Sequence, residues 1–135
     1  MQLGPTLVNL SELHPHEATN PTRVKKSTHM HVRWGVMRSR VIVDGKDFIV
    51  IDGHHRLAVA HRLGLRCVPV LLVDPAELRV ERRGSQAPLT HAEVVAHVRQ
   101  RGVMPARSTK YALDGLDVVC DVPLDRLRHP AGGSQ

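Results

Sequence analysis

Aromatic residues are nearly missing from this chain. Phe48, Trp34 and Tyr111 are the whole complement, and with so few rings there is no stacking platform of the kind that binds single-stranded nucleic acid. The core must be built from Val, Leu, Ile and Ala. Cysteine is equally scarce. Cys67 and Cys120 both lie in apolar runs and in no metal or redox spacing, so they read as buried, reduced thiols. No apolar run approaches the length of a bilayer span and no secretory signal is seen, which sets the expectation of a soluble, cytoplasmic protein without membrane partners. Also absent are a Walker loop, a Gly-x-Gly-x-x-Gly turn, a protein-kinase catalytic loop and a His-Glu-x-x-His helix.

What is present is basic. The 135 residues carry a net charge of +6, and arginine outnumbers lysine, which suits an anionic partner such as a nucleotide, a phosphoester, nucleic acid or an acidic carrier protein. The length allows one core, so residues 1–130 are expected to form a single domain and residues 131–135 a disordered tail. Ten histidines raise the question of a metal. His14/His16, His29/His31 and His54/His55 lack a convincing third ligand, and side chains adjacent in sequence diverge, so a zinc site is not expected.

Local signals predict a small α+β domain, a mixed sheet with flanking helices. Leu7–Leu10 reads as a strand, with Ser11–Glu17 a loop. Asn20-Pro21 reads as an N-cap followed by proline, opening a helix to about Trp34. Its Arg23, Lys25, Lys26, His29, His31 and Arg33 read as a solvated face, while the neighbouring Arg38 and Arg40 leave a nucleotide role open. Val41–Val43, the turn Asp44-Gly45-Lys46-Asp47 and Phe48–Ile51 form a hairpin. Cys67–Val73 is a strand whose Pro69 suggests an edge or a strand start. Residues 74–88 read as a polar, mobile loop. Thr90 and Glu93 have capping-box spacing before a helix that Gly102 stops near Arg101. Asp117–Val122 reads as a last strand, followed by a turn through Leu127.

The densest chemical signal is Ile51-Asp52-Gly53-His54-His55-Arg56, where a strand runs into the helix Arg56–Leu63. Asp52 to His55 would form the turn. Gly53 lets backbone approach a ligand, free N–H groups at a helix start attract phosphate, and His54, His55 and Arg56 add donors. The bland alternative makes Asp52 an N-cap beside solvated histidines.

This hexapeptide resembles the Asp-Gly-His-His-Arg of nucleotide-dependent kinases of free L-serine, within the ParB/sulfiredoxin superfamily. His14-Pro15-His16-Glu17 resembles that family's Pro-His-Glu, and Met104-Pro105-Ala106-Arg107-Ser108-Thr109-Lys110-Tyr111 its late phosphate-binding segment. The resemblance implies a compact ParB/sulfiredoxin-like fold and phosphoryl transfer from ATP or ADP, with Mg²⁺, to the hydroxyl of free serine or a related hydroxy amino acid. It implies Glu17 as general base and Asp52 as a second carboxylate that assists it or holds Mg²⁺, with their roles exchangeable. Gly53, His54, His55, Arg56, Arg107, Ser108, Thr109 and Lys110 would bind the donor's phosphates. Lys110 and Tyr111 depart from the family's arginine and histidine, and lysine is a point charge where arginine is a fork. The family's kinases are also longer, which opens the case of a hydroxyl presented by a carrier protein. His54 stands where sulfiredoxin has its cysteine, so thiol chemistry does not follow. The Gly-Glu-Arg-Arg and helix-turn-helix of chromosome-partitioning ParB proteins are absent, so specific DNA binding is not expected. A nucleotide-binding regulatory module, dimeric or not, and a nonspecific nucleic-acid binder or nuclease are the alternatives.

Overall fold

The computed structural model describes residues 6–132, which form nine strands and four α-helices. The strands are β1 (Thr6–Asn9), β2 (His14–Pro15), β3 (Val36–Ser39), β4 (Val41–Asp44), β5 (Ile49–Asp52), β6 (Cys67–Val73), β7 (Val80–Arg82), β8 (Thr109–Tyr111) and β9 (Val119–Pro123). The helices are α1 (Pro21–Trp34), α2 (His54–Arg62), α3 (His91–Arg101) and α4 (Leu124–Leu127). The main sheet runs β1-β6-β4-β5-β2, and the pairs β3-β9 and β7-β8 stand apart from it. Antiparallel β1-β6 and β4-β5 alternate with parallel β4-β6 and β2-β5, so the sheet is mixed as expected.

Period-two alternation in the central strands divides the core. Val41, Val43 and Val50 point into a cluster with Leu57 and Ala60 of α2, Val122 of β9 and Leu127 of α4. Ile42, Ile49 and Ile51 point the other way, onto Val95 of α3 and Tyr111 of β8. Burial on both faces is why these strands read as unbroken apolar runs. It also fixes α2 and β8 on opposite sides of β5, whose C-terminal end opens the functional region.

Local chemistry explains the helix ends. Asn20 Oδ1 accepts from the N–H groups of Thr22 and Arg23, and Thr90 and Glu93 complete a reciprocal capping box. The left-handed Gly35 closes α1.

Several expectations are corrected. Leu10–Glu12 is a 3-10 turn, and β2 inside the expected loop adds a parallel edge beside β5. Phe48 lies outside the strand, at φ 55°, where it closes the hairpin turn through its N–H to Asp44 O. Pro69 sits on an interior strand. Pairing of β6 with β4 begins only at Val70, so a residue without an N–H is tolerated one position earlier. Residues 74–88 contain a 3-10 turn at Pro75–Glu77 and the strand β7, whose hydrogen bonds to β8 depend on a segment far along the chain. β3 was invisible for the same reason, its partner being β9. His31 is buried, its Nδ1 donating to Ser27 O, while its neighbours on α1 are exposed. Both cysteines are free and buried. Ala131 packs on the core and donates its N–H to Asn9 Oδ1, and the remainder of the expected tail, residues 133–135, lies outside the described residues. Among the described residues no helix is long and apolar enough to cross a membrane.

Candidate functional site

The β5–α2 junction is tighter than the sequence implied. Asp52 ends the strand, Gly53 alone turns the chain, and His54 and His55 already belong to the first turn of the helix. Gly53 serves as N-cap at φ 98°, ψ 25°, and Asp52 makes no cap. A Cβ on Gly53 would lie 3.3 Å from Val41 Cα, backbone that cannot swing away, in a left-handed conformation that already disfavours L side chains. Gly53→Ala should therefore cost about 1–3 kcal/mol, from conformational strain plus crowding, read as a loss of that size in chemical denaturation.

Around this junction lies a cleft of about 530 Å³, lined by Glu17, Ala18, Asn20, Arg23, Ser27, Asp52, Gly53, His54, His55, Arg56, Ala106 and Arg107. Three separated stretches thus converge: the loop after β2 with the start of α1, the β5–α2 turn, and the segment leading to β8. The initial N–H groups of α2 have no acceptor within the helix, and with Arg23, Arg56 and Arg107 they make the cleft suited to an anion.

Glu17 is held from two sides. Arg107 N–H donates to Oε1 at 3.2 Å, and Thr109 donates to Oε2 through its N–H at 2.9 Å and through a short bond from its hydroxyl. Arg107 adopts φ 59°, which turns the chain so that both N–H groups face the carboxylate. Partial burial alone would raise the Glu17 pKa, but the His16 ring 3.6 Å away and the hydrogen bonds from Thr109 hold it down to about 2. It is an ionised, anchored carboxylate. Asp52 differs, being exposed, with Arg56 Nη2 at 3.6 Å.

His54 and His55 clamp the neighbouring loop. His54 Nε2 accepts from the N–H groups of His16 (3.1 Å) and Glu17 (3.3 Å), and His55 Nε2 accepts from Asn20 N–H at 3.3 Å. A nitrogen that accepts carries no hydrogen, so each neutral ring keeps Nδ1–H as its donor. Burial, together with the neighbouring His16, pushes the His54 pKa down to about 3, so this ring is neutral in ordinary buffers. The His55 pKa is lowered by burial and by Arg23 and Arg107. Arg56 Nη1 donates to Arg40 O at 2.9 Å, which orients its guanidinium beside Asp52.

Of the residues singled out from sequence, Glu17, Asp52, Gly53, His54, His55, Arg56 and Arg107 line one cleft, whereas Ser108, Thr109 and Lys110 do not. Ser108 Oγ donates to Pro105 O, Thr109 is buried beneath Glu17, and Lys110 stands opposite Glu81 across β7-β8. Tyr111 is buried against His91, its hydroxyl 2.7 Å from Nδ1. Arg38 stacks on the Trp34 ring and is absent from the cleft lining, as is Arg40. Sequence reasoning missed Arg23 and Asn20 as lining residues, and their capping register was the one signal that placed them at a helix start. It also gave no role to His16, although the motif contained it.

Among the described residues, no cluster of three or more His, Cys, Asp or Glu side chains could hold a metal by itself. Mg²⁺ asks for less, since it is commonly held by one or two carboxylates together with substrate phosphates and water. The exposed Asp52 fits that requirement, and Glu17, with both oxygens engaged, fits it less well.

No protein-family model matches the chain. Over 74 residues, 52% of this chain and 29% of the relative, it is 36% identical to an ATP-dependent L-serine kinase from Staphylothermus marinus. Over 76 residues, 56% of this chain and 38% of the relative, it is 30% identical to a ParB-like protein from Sulfolobus acidocaldarius. The matched stretch thus covers well under half the length of either relative. Its fold superposes with a TM-score of 0.82 on a mutant free serine kinase solved in complex with ADP, at 13% identity over 94% of this chain and 95% of that one. It superposes equally well, at 0.82 and 17% identity over 91% and 88%, on C-terminally truncated SbnI from Staphylococcus aureus. The ParB-like and serine-kinase-like fold implied by the motifs is the fold found, and the similarity in sequence is to both kinds of protein.

Proposed function

We propose that this protein is a small-molecule kinase, transferring a phosphoryl group from ATP or ADP to the hydroxyl of free serine or a related hydroxy amino acid. The observation that carries the reading is the cleft itself. It sets two carboxylates of opposite character, one anchored and one open, among three guanidinium groups and a helix N-terminus. Similarity to an L-serine kinase supports the choice of reaction and acceptor.

Phosphoryl transfer is mostly positioning and charge neutralisation. Arg23, Arg56, Arg107 and the α2 N–H groups would take the donor's phosphates, and Gly53, packed against Val41, holds the turn that presents those N–H groups. Mg²⁺ held by Asp52 would supply further neutralisation of the phosphates. Glu17 sits across the cleft with both oxygens positioned by backbone, suited to orienting an attacking hydroxyl and receiving its proton.

A second reading, a nucleotide-binding regulatory module, is favoured by the match to a ParB-like protein and by the short share of the kinase relative that is covered. Incubation with Mg²⁺, ATP or ADP and a panel of hydroxy amino acids and sugars, followed by phosphorus NMR, separates the two. A new phosphomonoester is expected with serine or a close analogue. Tight nucleotide binding with no phosphoester from any acceptor would replace the kinase with the module.

A further inference from the structure

Beneath Glu17 lies a residue with no part in the scheme so far. His16 is completely buried, with Nδ1 2.6 Å from the Val50 carbonyl oxygen. A carbonyl only accepts, so Nδ1 bears a hydrogen and Nε2 is the nitrogen left to exchange a proton. Nε2 lies 2.8 Å from Thr109 Oγ1, and that same oxygen makes the short hydrogen bond to Glu17 Oε2. His16 Nε2 and Glu17 Oε2 are themselves 3.6 Å apart, so the hydroxyl bridges them.

One hydroxyl hydrogen cannot fill both contacts. Pointed at Glu17, it requires a hydrogen on Nε2. Pointed at Nε2, it requires one on Glu17. The three groups are fully hydrogen-bonded only when they hold one proton more than a neutral imidazole and a carboxylate supply, so the unit is built to take up a single proton.

Resting on the kinase reading, we propose that Glu17, Thr109 and His16 form a proton relay in which Glu17 collects the proton of the attacking hydroxyl and His16 Nε2 stores it. As the acceptor oxygen bonds to the terminal phosphorus, the phosphorus–oxygen bond to the leaving nucleotide breaks, and its electron pair stays on the nucleotide. The acceptor's proton passes to Glu17, the Thr109 hydroxyl hydrogen passes to Nε2, and the proton on Glu17 moves to Thr109 Oγ1. Glu17 and Thr109 end unchanged, and His16 ends as an imidazolium beside the Glu17 carboxylate. Its proton returns to water by the reverse path after product leaves.

The direction of transfer follows from the contacts. Glu17 already accepts from Arg107 N–H and from both donors of Thr109, so it is a poor final holder of the proton, whereas His16 Nε2 has the Thr109 hydroxyl oxygen in front of it. The order is the reverse of a serine-protease triad, in which imidazole faces the reacting group and the carboxylate stays ionised behind it. The groups facing His16 are Glu17 from its own segment, His54 from α2 at 4.6 Å between ring centroids, and Thr109 and Tyr111 from β8, the Tyr111 ring at 5.6 Å. His54 is held neutral and burial pushes the Tyr111 hydroxyl further from ionising, so neither competes for the proton near neutral pH. His16 and Thr109 are positioning residues, acting on the substrate only through Glu17.

Three variants of the full chain test the relay. Thr109→Val keeps the shape and removes the hydroxyl. It should lower kcat about 100-fold with nucleotide Kd within about threefold, and Thr109→Ser should recover to within about tenfold of wild type. His16→Gln should match the valine variant and abolish the acidic limb of the kcat–pH profile. A wild-type rate falling non-linearly with deuterium fraction in mixed water, and linearly in Thr109→Val, would mark two protons in flight. Equal losses in the serine and valine variants, or an unchanged pH profile in His16→Gln, would overturn the relay. Imidazole nitrogen NMR judges it independently of turnover. Nδ1–H with a titrating Nε2 is expected, and a fixed Nε2–H tautomer refutes the relay even in an active kinase. A wild type that makes no phosphoester while His16 still titrates overturns the kinase reading instead.

Discussion

Glu17→Gln is expected to cut phosphoester formation roughly 100- to 10,000-fold, the range for losing a positioned base, while nucleotide affinity changes little. The anchoring explains why the loss should be so complete. A glutamine can turn its carbonyl oxygen toward either Arg107 N–H or Thr109 N–H, but its amide then meets the other donor. The side chain must leave its seat or confront a donor with a donor, at a cost of about 1–3 kcal/mol that a denaturation curve would show. Asp52→Asn separates the two carboxylates. Being exposed, it should leave stability within about 0.5 kcal/mol of wild type, and its activity should become dependent on higher Mg²⁺ concentration. If instead Asp52→Asn abolished turnover at every Mg²⁺ level and Glu17→Gln were tolerated, the two carboxylates would exchange roles. Indifference to both changes would remove the kinase mechanism.

The largest stability loss is expected at a residue outside the cleft. Asp44 is fully buried at the end of β4, where Oδ1 accepts from the N–H groups of Lys46 and Asp47 and Oδ2 accepts from His91 Nε2 at 2.6 Å. His91 in turn shares a hydrogen bond with the Tyr111 hydroxyl. One carboxylate thus ties the β4-β5 turn to α3 and, through Tyr111, to β8. Burial alone would raise the Asp44 pKa, but the bonds from His91 and the two turn N–H groups hold it down. Asp44→Ala strands the buried His91 donor and leaves the two part-buried turn N–H groups without their acceptor, and should cost about 3–5 kcal/mol, a large fraction of a typical domain's stability. Asp44→Asn keeps an acceptor for the turn and should lose less. Urea denaturation checks the pair, and an alanine variant within 0.5 kcal/mol of wild type would show that the network carries little stability.

Because β8 also carries Thr109, the Asp44 network and the cleft are joined through one short strand. Its three residues place Thr109 against Glu17 and Tyr111 against His91. Tyr111 was legible only as a departure from a family pattern. Its buried partner lies 20 residues earlier, and no periodicity in the sequence connects them.

Short-range chemistry wrote the elements whose determinants lie close together in the chain. The helix at Asn20-Pro21, the capping box at Thr90, the hairpin around Asp44-Gly45 and the buried run into Asp52 all came from neighbours within a few residues, where hydrogen-bond reach and side-chain period dictate the outcome. The chemical character of the junction at 51–56 was likewise written locally, as was the mixed α+β class. Tertiary structure alone decided which carboxylate is anchored and which is open, because Glu17 takes its anchors from residues 90 and 92 positions away. It alone brought Arg23 into the cleft, paired β3 with β9 and β7 with β8, and set His16 between Val50 and Thr109. These contacts depend on the register of strands and helices remote in the chain, which packing of the two core faces fixes and no local pattern records.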